Sequence, residues 1–240
     1  GWLKIGNDYY YLKSSGAMTT GWWQMDNGWF YADTSGKVVI GWKQINNSWY
    51  YFGSDAKMMT GWQKINDIYY YLNTDGKMMT GWLSDGTNKY YMNPNSGAMS
   101  KGWKQIENAW YYFNESGHML TGWLNLNGKK YYFNKKTGVQ LKGWQKNSKG
   151  KYIRYFTKGK GVMATGFLKS GTVTRYFRPS NGKLVRGWLT LKGKKYYFTS
   201  GTGAMVKGWQ TTAKKEKRYF KSNGQMLTGW FTDSKGYTRY

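Results

Sequence analysis

The chain has 240 residues, of which 20% are aromatic, with 15 Trp, 23 Tyr, 33 Gly, 2 Pro and no Cys, so neither disulfides nor thiolate metal sites hold it together and no Pro-rich linker divides it. Its formal net charge of +26 is unevenly spread: residues 1–120 carry 10 Lys/Arg against 9 Asp/Glu (+1), and residues 121–240 carry 37 − 10 = 27 against 11 − 9 = 2 (+25). No apolar run approaches the roughly 20 residues that span a bilayer, so membrane insertion is not expected.

Along the chain, Gly-Trp pairs begin at Gly1, Gly21, Gly41, Gly61, Gly81, Gly102, Gly122, Gly143, Gly187, Gly208 and Gly229, and Gly166-Phe167 fills the one gap. The resulting units are mostly 20 or 21 residues long, the signature of a repeat array. Within each unit a few mixed residues follow Gly-Trp, and then comes a turn signal such as Asn27-Gly28, Asp85-Gly86 or Asn127-Gly128. An aromatic triplet follows, as in Trp49-Tyr50-Tyr51 or Trp110-Tyr111-Tyr112. Two short strands around such a turn predict a β-hairpin, because both central residues of the favoured turn need positive φ. A second glycine, as at Gly16, Gly36, Gly76 or Gly224, turns the chain again, and a residue such as Met18, Met58, Met78, Met99, Met119, Met205 or Met226 opens an extended link to the next Gly-Trp. No stretch holds a 3.6-residue apolar period, so no helix is predicted. The expectation is an all-β solenoid of stacked hairpins forming a single array over residues 1–240, with a near-neutral half (1–120) and a strongly basic half (121–240). The chain starts in phase with its own repeat and without a signal peptide, as a segment of a longer protein would.

An isolated hairpin is marginal in water, so the aromatic and Met side chains of neighbouring units are expected to cover one another. That packing role is assigned above all to the second triplet residue and the Met positions. Catalysis is not expected. The single histidine, His118, stands where other units have Ala17, Lys77 or Ala98 and reads as a surface substitution. Acidic residues such as Asp26, Asp75 and Asp85 sit at turns, no paired carboxylates recur, and nothing calls for a cofactor or a metal.

The segments Gly41-Trp42 to Trp49-Tyr50-Tyr51-Phe52, Gly97-Ala98-Met99 and Gly224-Gln225-Met226-Leu227-Thr228-Gly229-Trp230 resemble the cell-wall-binding repeats typified by choline-binding modules of pneumococcal autolysins and surface proteins. Related repeats occur in glucan-binding domains of glucansucrases and in clostridial toxins, and Gly128-Lys129-Lys130-Tyr131-Tyr132-Phe133-Asn134 is similar to the toxin repeats. The resemblance implies a left-handed superhelix of hairpins in a secreted, cell-wall- or surface-associated protein. Its ligand sites would lie at hairpin junctions, each walled by the Trp of Gly-Trp, the first triplet residue seven positions on, and an aromatic from the next hairpin. Here those walls are Trp2 with Tyr9, Trp22 with Trp29, Trp42 with Trp49, Trp62 with Tyr69, and Trp103 with Trp110. The implied partner is choline-bearing teichoic acid or another cell-surface glycopolymer, and the resemblance leaves open whether two arrays pair into a homodimer, as in some members. A quaternary ammonium suits ring faces, because it is weakly hydrated and attracted by their quadrupoles.

The first triplet position is read as aromatic at Tyr9, Trp29, Trp49, Tyr69 and Trp110, and as cationic at Lys89, Lys130, Arg154, Arg175, Lys195, Arg218 and Arg239. A cation there repels a bound ammonium, which concentrates choline-type sites in residues 1–120. Two other readings stand beside choline recognition. One is a carbohydrate-binding module for glucan or a host oligosaccharide; the other is an adhesion stalk whose basic half contacts anionic polymers, with nucleic acid the weakest of these partners.

Overall fold

A computed structural model describes residues 1–26, 28–211, 217–232, 236 and 238–239. Among these the chain is all-β without helix, and its strands pair only as antiparallel hairpins, from β1 (Trp2–Ile5) with β2 (Asp8–Tyr11) to β23 (Phe231–Thr232) with β24 (Thr238–Arg239). Two compact units, Gly1–Leu120 and Thr121–Tyr240, divide where the charge balance changes.

The hairpin of β5 (Gly41–Ile45) and β6 (Ser48–Phe52) represents the rest. Its turn residues Asn46 and Asn47 have φ of 47° and 62°, the left-handed pair that lets the strands keep their twist. Register places Trp42 opposite Tyr51 and Gln44 opposite Trp49, so the Trp of Gly-Trp faces the third triplet residue across the strands. In the second hairpin Gly28 opens a strand opposite Met25 and is not a turn residue, contrary to the Asn27-Gly28 expectation; Asp26, with φ of 50°, begins that turn, and Asn27 lies outside the described residues.

The core sits one residue beyond the triplet. Phe52, Leu72, Met92 and Phe113 in the first unit, and Phe133, Phe156, Phe177, Phe198 and Phe220 in the second, are almost fully buried. Each bridges the link that follows its hairpin, as Phe52 does with Met58. After Leu72, Met92, Phe113 and Phe133 an Asn shapes the second turn: the Asn73 side chain accepts the backbone N–H groups of Asp75 (3.0 Å) and Lys77 (2.8 Å). Gly76 completes that turn at φ +77°, and an added Cβ would lie 2.3 Å from the Sδ of Met58. The same close approach joins Gly97 to Met78 and Gly117 to Met99, so the expected packing of the methionines is met by glycines that must stay bare.

Consecutive hairpins are stitched by backbone. The Met78 N–H donates to the Trp49 carbonyl (2.8 Å), and Met58 reaches Trp29 (2.7 Å) and Met99 reaches Tyr69 (2.8 Å) in the same way. This bond marks the first triplet residue of every hairpin it reaches.

Candidate functional site

In the first unit, that stitch brings the link of one hairpin against the rings of the hairpin before it. Trp42 and Trp49 meet at 6.4 Å between centroids and 83° between planes, and Tyr70, on strand β8 (Ile68–Leu72), approaches Trp42 at 4.9 Å and 66°. Two rings steeply inclined to a third make three sides of a box. With Met78, Asn95 and Ser96 they line an open cavity of about 320 Å³. Trp49 is 41% exposed, so the crevice is reachable from solvent.

Trp22 and Trp29 repeat the geometry (6.4 Å, 81°), with Tyr50 at 5.0 Å from Trp22. Trp62 and Tyr69 share a cavity of about 540 Å³ with Tyr90 and Met99, and Tyr90 lies 4.8 Å from Trp62. Its rim is more polar. Lys64 pairs with Asp67 (2.8 Å), Lys101 with Glu115 (4.0 Å), and the Lys101 ammonium stands 6.0 Å from the Tyr69 ring. The Tyr90 hydroxyl donates to Asp85 (2.7 Å), which pins that wall. Burial, followed by this bond, pushes the Tyr90 phenol above its usual range, while N–H donation from Asn88, the Tyr90 hydroxyl and the Thr87 N–H hold the Asp85 carboxyl well below its own. His118 is half-buried with its ring edge-on to Tyr90 at 5.3 Å, so it supports this wall and is not the surface substitution expected.

At the start of the chain the box is altered. Trp2 meets Phe30 at 5.7 Å, but Trp23 lies 6.3 Å from Trp2 and stacks on both Tyr11 and Phe30. Tyr9 keeps its stitch, accepting the Val38 N–H (2.8 Å), and carries the Lys4 ammonium 5.3 Å from its ring. Trp103 and Trp110 form the familiar pair at 6.3 Å and 76°. At Trp82 the box lacks one side: Tyr111 stands 5.0 Å away, and the Met119 N–H donates to the carbonyl of Lys89, which replaces the first ring.

The aromatic that the next hairpin brings against the Trp, left unspecified by sequence reasoning, is the second triplet residue. Packing alone was expected of it. Tyr50 and Tyr90 are indeed buried, yet each also turns its ring toward the preceding Trp.

In the second unit the structure corrects the cation register. Lys130 is first in its triplet, since its carbonyl receives the Met163 N–H. In the next two hairpins, however, the stitch runs from Leu184 to Ile153 and from Met205 to Thr174. Arg154 and Arg175 are therefore second, and the pairings Gln210–Arg218 and Phe231–Arg239 put those arginines second as well. Arginine occupies the place of the tyrosine wall: the Arg154 guanidinium is 5.5 Å from the Trp123 ring and that of Arg175 is 5.1 Å from Trp144.

Against the protein-family models, a choline-binding repeat matches residues 39–64, 59–101, 100–138, 120–166 and 185–221, and a cell wall binding repeat matches residues 1–18. Choline binding protein F of Streptococcus pneumoniae, solved in the presence of a peptidoglycan analogue, is 28% identical with a TM-score of 0.71, over 99% of this chain and 95% of its own. CbpJ of the same species is 28% identical with a TM-score of 0.68, over 94% and 92%. The modular autolysin LytC, in complex with a synthetic peptidoglycan ligand, is 25% identical with a TM-score of 0.56, over 86% of this chain and 48% of its own. Comparison with curated proteins gives no match.

Proposed function

The chain belongs to the choline-binding repeat family, and from that premise we propose that it is a non-catalytic module of a secreted protein, holding it to the cell wall by binding choline groups of teichoic acid in the junction boxes of residues 1–120. The observation that carries the reading is the box of Trp42, Trp49 and Tyr70, whose ring planes face one volume from three sides. A trimethylammonium placed there loses little hydration and gains about 0.5–2 kcal/mol per ring face, depending on how far the site dries. Each box alone is weak. Several on one chain, meeting a polymer that repeats its choline, raise overall avidity by about two to four orders of magnitude without any further contact.

The wall residues are Trp22, Trp29 and Tyr50; Trp42, Trp49 and Tyr70; and Trp62, Tyr69 and Tyr90. The Trp103–Trp110 pair contributes rings of the same kind, and Trp2 and Tyr9 belong to the altered box at the start of the chain. The test is calorimetric titration of the whole chain with choline chloride at fixed ionic strength. Saturable heat that shrinks in Trp49→Ala, together with retention on a quaternary-amine resin and release by free choline, is expected. No heat with choline but retardation by dextran in a native gel would replace choline with a glucan ligand.

A further inference from the structure

The second unit repeats the junction with its electrostatics reversed. At Trp123 the two positions that are rings in the Trp42 box are Lys130 and Arg154. Both are half-buried and tied to neighbouring carbonyls of a following turn: the Lys130 ammonium donates to Ser180 O (3.2 Å) and the Arg154 Nε to Asn181 O (3.0 Å). These bonds hold two like charges on one cavity of about 320 Å³, lined also by Trp123, Met163 and Asn125. Carbonyl dipoles orient the cations but do not neutralise them, and the described residues of the second unit include no Asp or Glu. The Arg154 bond uses only Nε, and a guanidinium carries further N–H donors on its outer fork. The next junction repeats the device: Arg175 lies over Trp144, and its Nε donates to Thr202 O (3.1 Å), again 27 residues along the chain.

We propose that the Trp123 junction is an oxyanion site: it takes a phosphate ester or carboxylate carried on a sugar or polyol, with the anion between Lys130 and Arg154 and the sugar or polyol against the Trp123 face. The planar fork of arginine matches either oxyanion in a bidentate manner, and two fixed cations with no Asp or Glu beside them among the described residues are relieved by an anion where the ring boxes welcome a cation. The Trp144 junction repeats the arginine half of the site, with Ile153 in the place of Lys130 and Arg175 over the ring. This site does not depend on choline binding in the first unit.

The experiment titrates the whole chain with glycerol phosphate, and separately with glucuronate, at constant ionic strength set with sodium chloride. Saturable binding is expected, weakened about tenfold or more in Arg154→Gln and in Lys130→Gln. It should be unchanged in Lys129→Gln, which removes an exposed charge beside the site. Stronger binding of one probe tells phosphate from carboxylate. As a readout that needs no variant, glycerol phosphate should protect Arg154 and Arg175 of the wild-type chain from phenylglyoxal, and leave the exposed Arg178 reactive. Equal losses in Lys129→Gln and Arg154→Gln, or no saturable binding and no selective protection, would overturn the site and leave only a diffuse basic field. Choline heat that persists under that outcome would show that the choline reading stands apart from this one.

Discussion

Replacing Lys89 with tryptophan should complete the unfinished box at Trp82. The other parts are in place: Tyr111 stands 5.0 Å from Trp82 at 72°, and Met119 is stitched to residue 89 at 2.7 Å. The new indole supplies one more ring face, about 2 kcal/mol if the ammonium is desolvated. Removing the lysine also removes a repulsion of about 0.8 kcal/mol at ~5 Å in water, the relevant limit because Lys89 is exposed. Together they amount to about 3 kcal/mol, or roughly a hundredfold in affinity at that junction. Lys89→Ala separates the parts, since it removes the charge without adding a ring and should gain only about fourfold. Calorimetric titration of the whole chain with choline should show one more site per chain in Lys89→Trp than in wild type. If Lys89→Trp, folded by near-UV circular dichroism, matches Lys89→Ala in site number and affinity, the ring box is not what binds.

Other perturbations probe the scaffold and its walls. Gly76→Ala should cost about 1–3 kcal/mol through its positive φ and the clash with Met58, and part of that loss should vanish in a Met58→Ala background when urea midpoints are compared. Phe52→Ala empties a fully buried site and should cost about 3–5 kcal/mol, whereas Trp49→Ala, at a residue 41% exposed, should leave thermal stability nearly intact while reducing choline heat by one box. Asp85 gives an acid dependence. Its carboxyl is depressed when folded, so the unfolded chain protonates first, near the ordinary pKa of about 3.9. Its contribution is therefore complete above that pH, declines below it, and is lost as pH falls through the lower folded value. Asp85→Asn should be less stable than wild type at pH 6, with the gap in urea midpoint narrower at pH 3.

The hairpins, their period and the paired rings were legible because they are local: a Gly-Trp, a turn pair of Asn, Asp or Gly, and a triplet lie within one unit. What was misread depended on where counting began. Counting forward from Gly-Trp puts Trp49 seven residues on, and Thr174 seven on from Phe167, but the loop after Trp144 is longer; a cation followed by Tyr-Phe, at Arg154 and at Arg175 alike, passes for a first position although it stands second. The buried phenylalanine is the better origin. Three residues back from Phe52 is Trp49, and three back from Phe156 is Ile153, which the backbone stitch confirms. Loops can change length at little cost, whereas the residue that fills the core cannot shift its register without turning the strand inside out. The double role of Tyr50 and Tyr90 was hidden for another reason. Burial and ligand contact need different neighbours, and sequence shows only one hairpin at a time.

These observations point to a division of labour set by one side-chain position. The backbone stitch, the buried residue and the Gly–Met contact recur in both units, so each junction presents the same frame whatever stands second in the triplet. Tyr70 in that place gives Trp42 a neutral π wall, and Arg154 gives Trp123 a positive one. A tyrosine-walled box favours a cation with few hydrogen-bonding demands, and an arginine-walled box repels that same cation and attracts its opposite. Because hairpins in such arrays interact mainly with their nearest neighbours, such an exchange is local in its stability cost, and the preference of each junction can change without disturbing the next. A polymer bearing both ammonium and phosphate groups would find complementary sites on one chain, each weak and each dependent on the others only through the polymer that joins them.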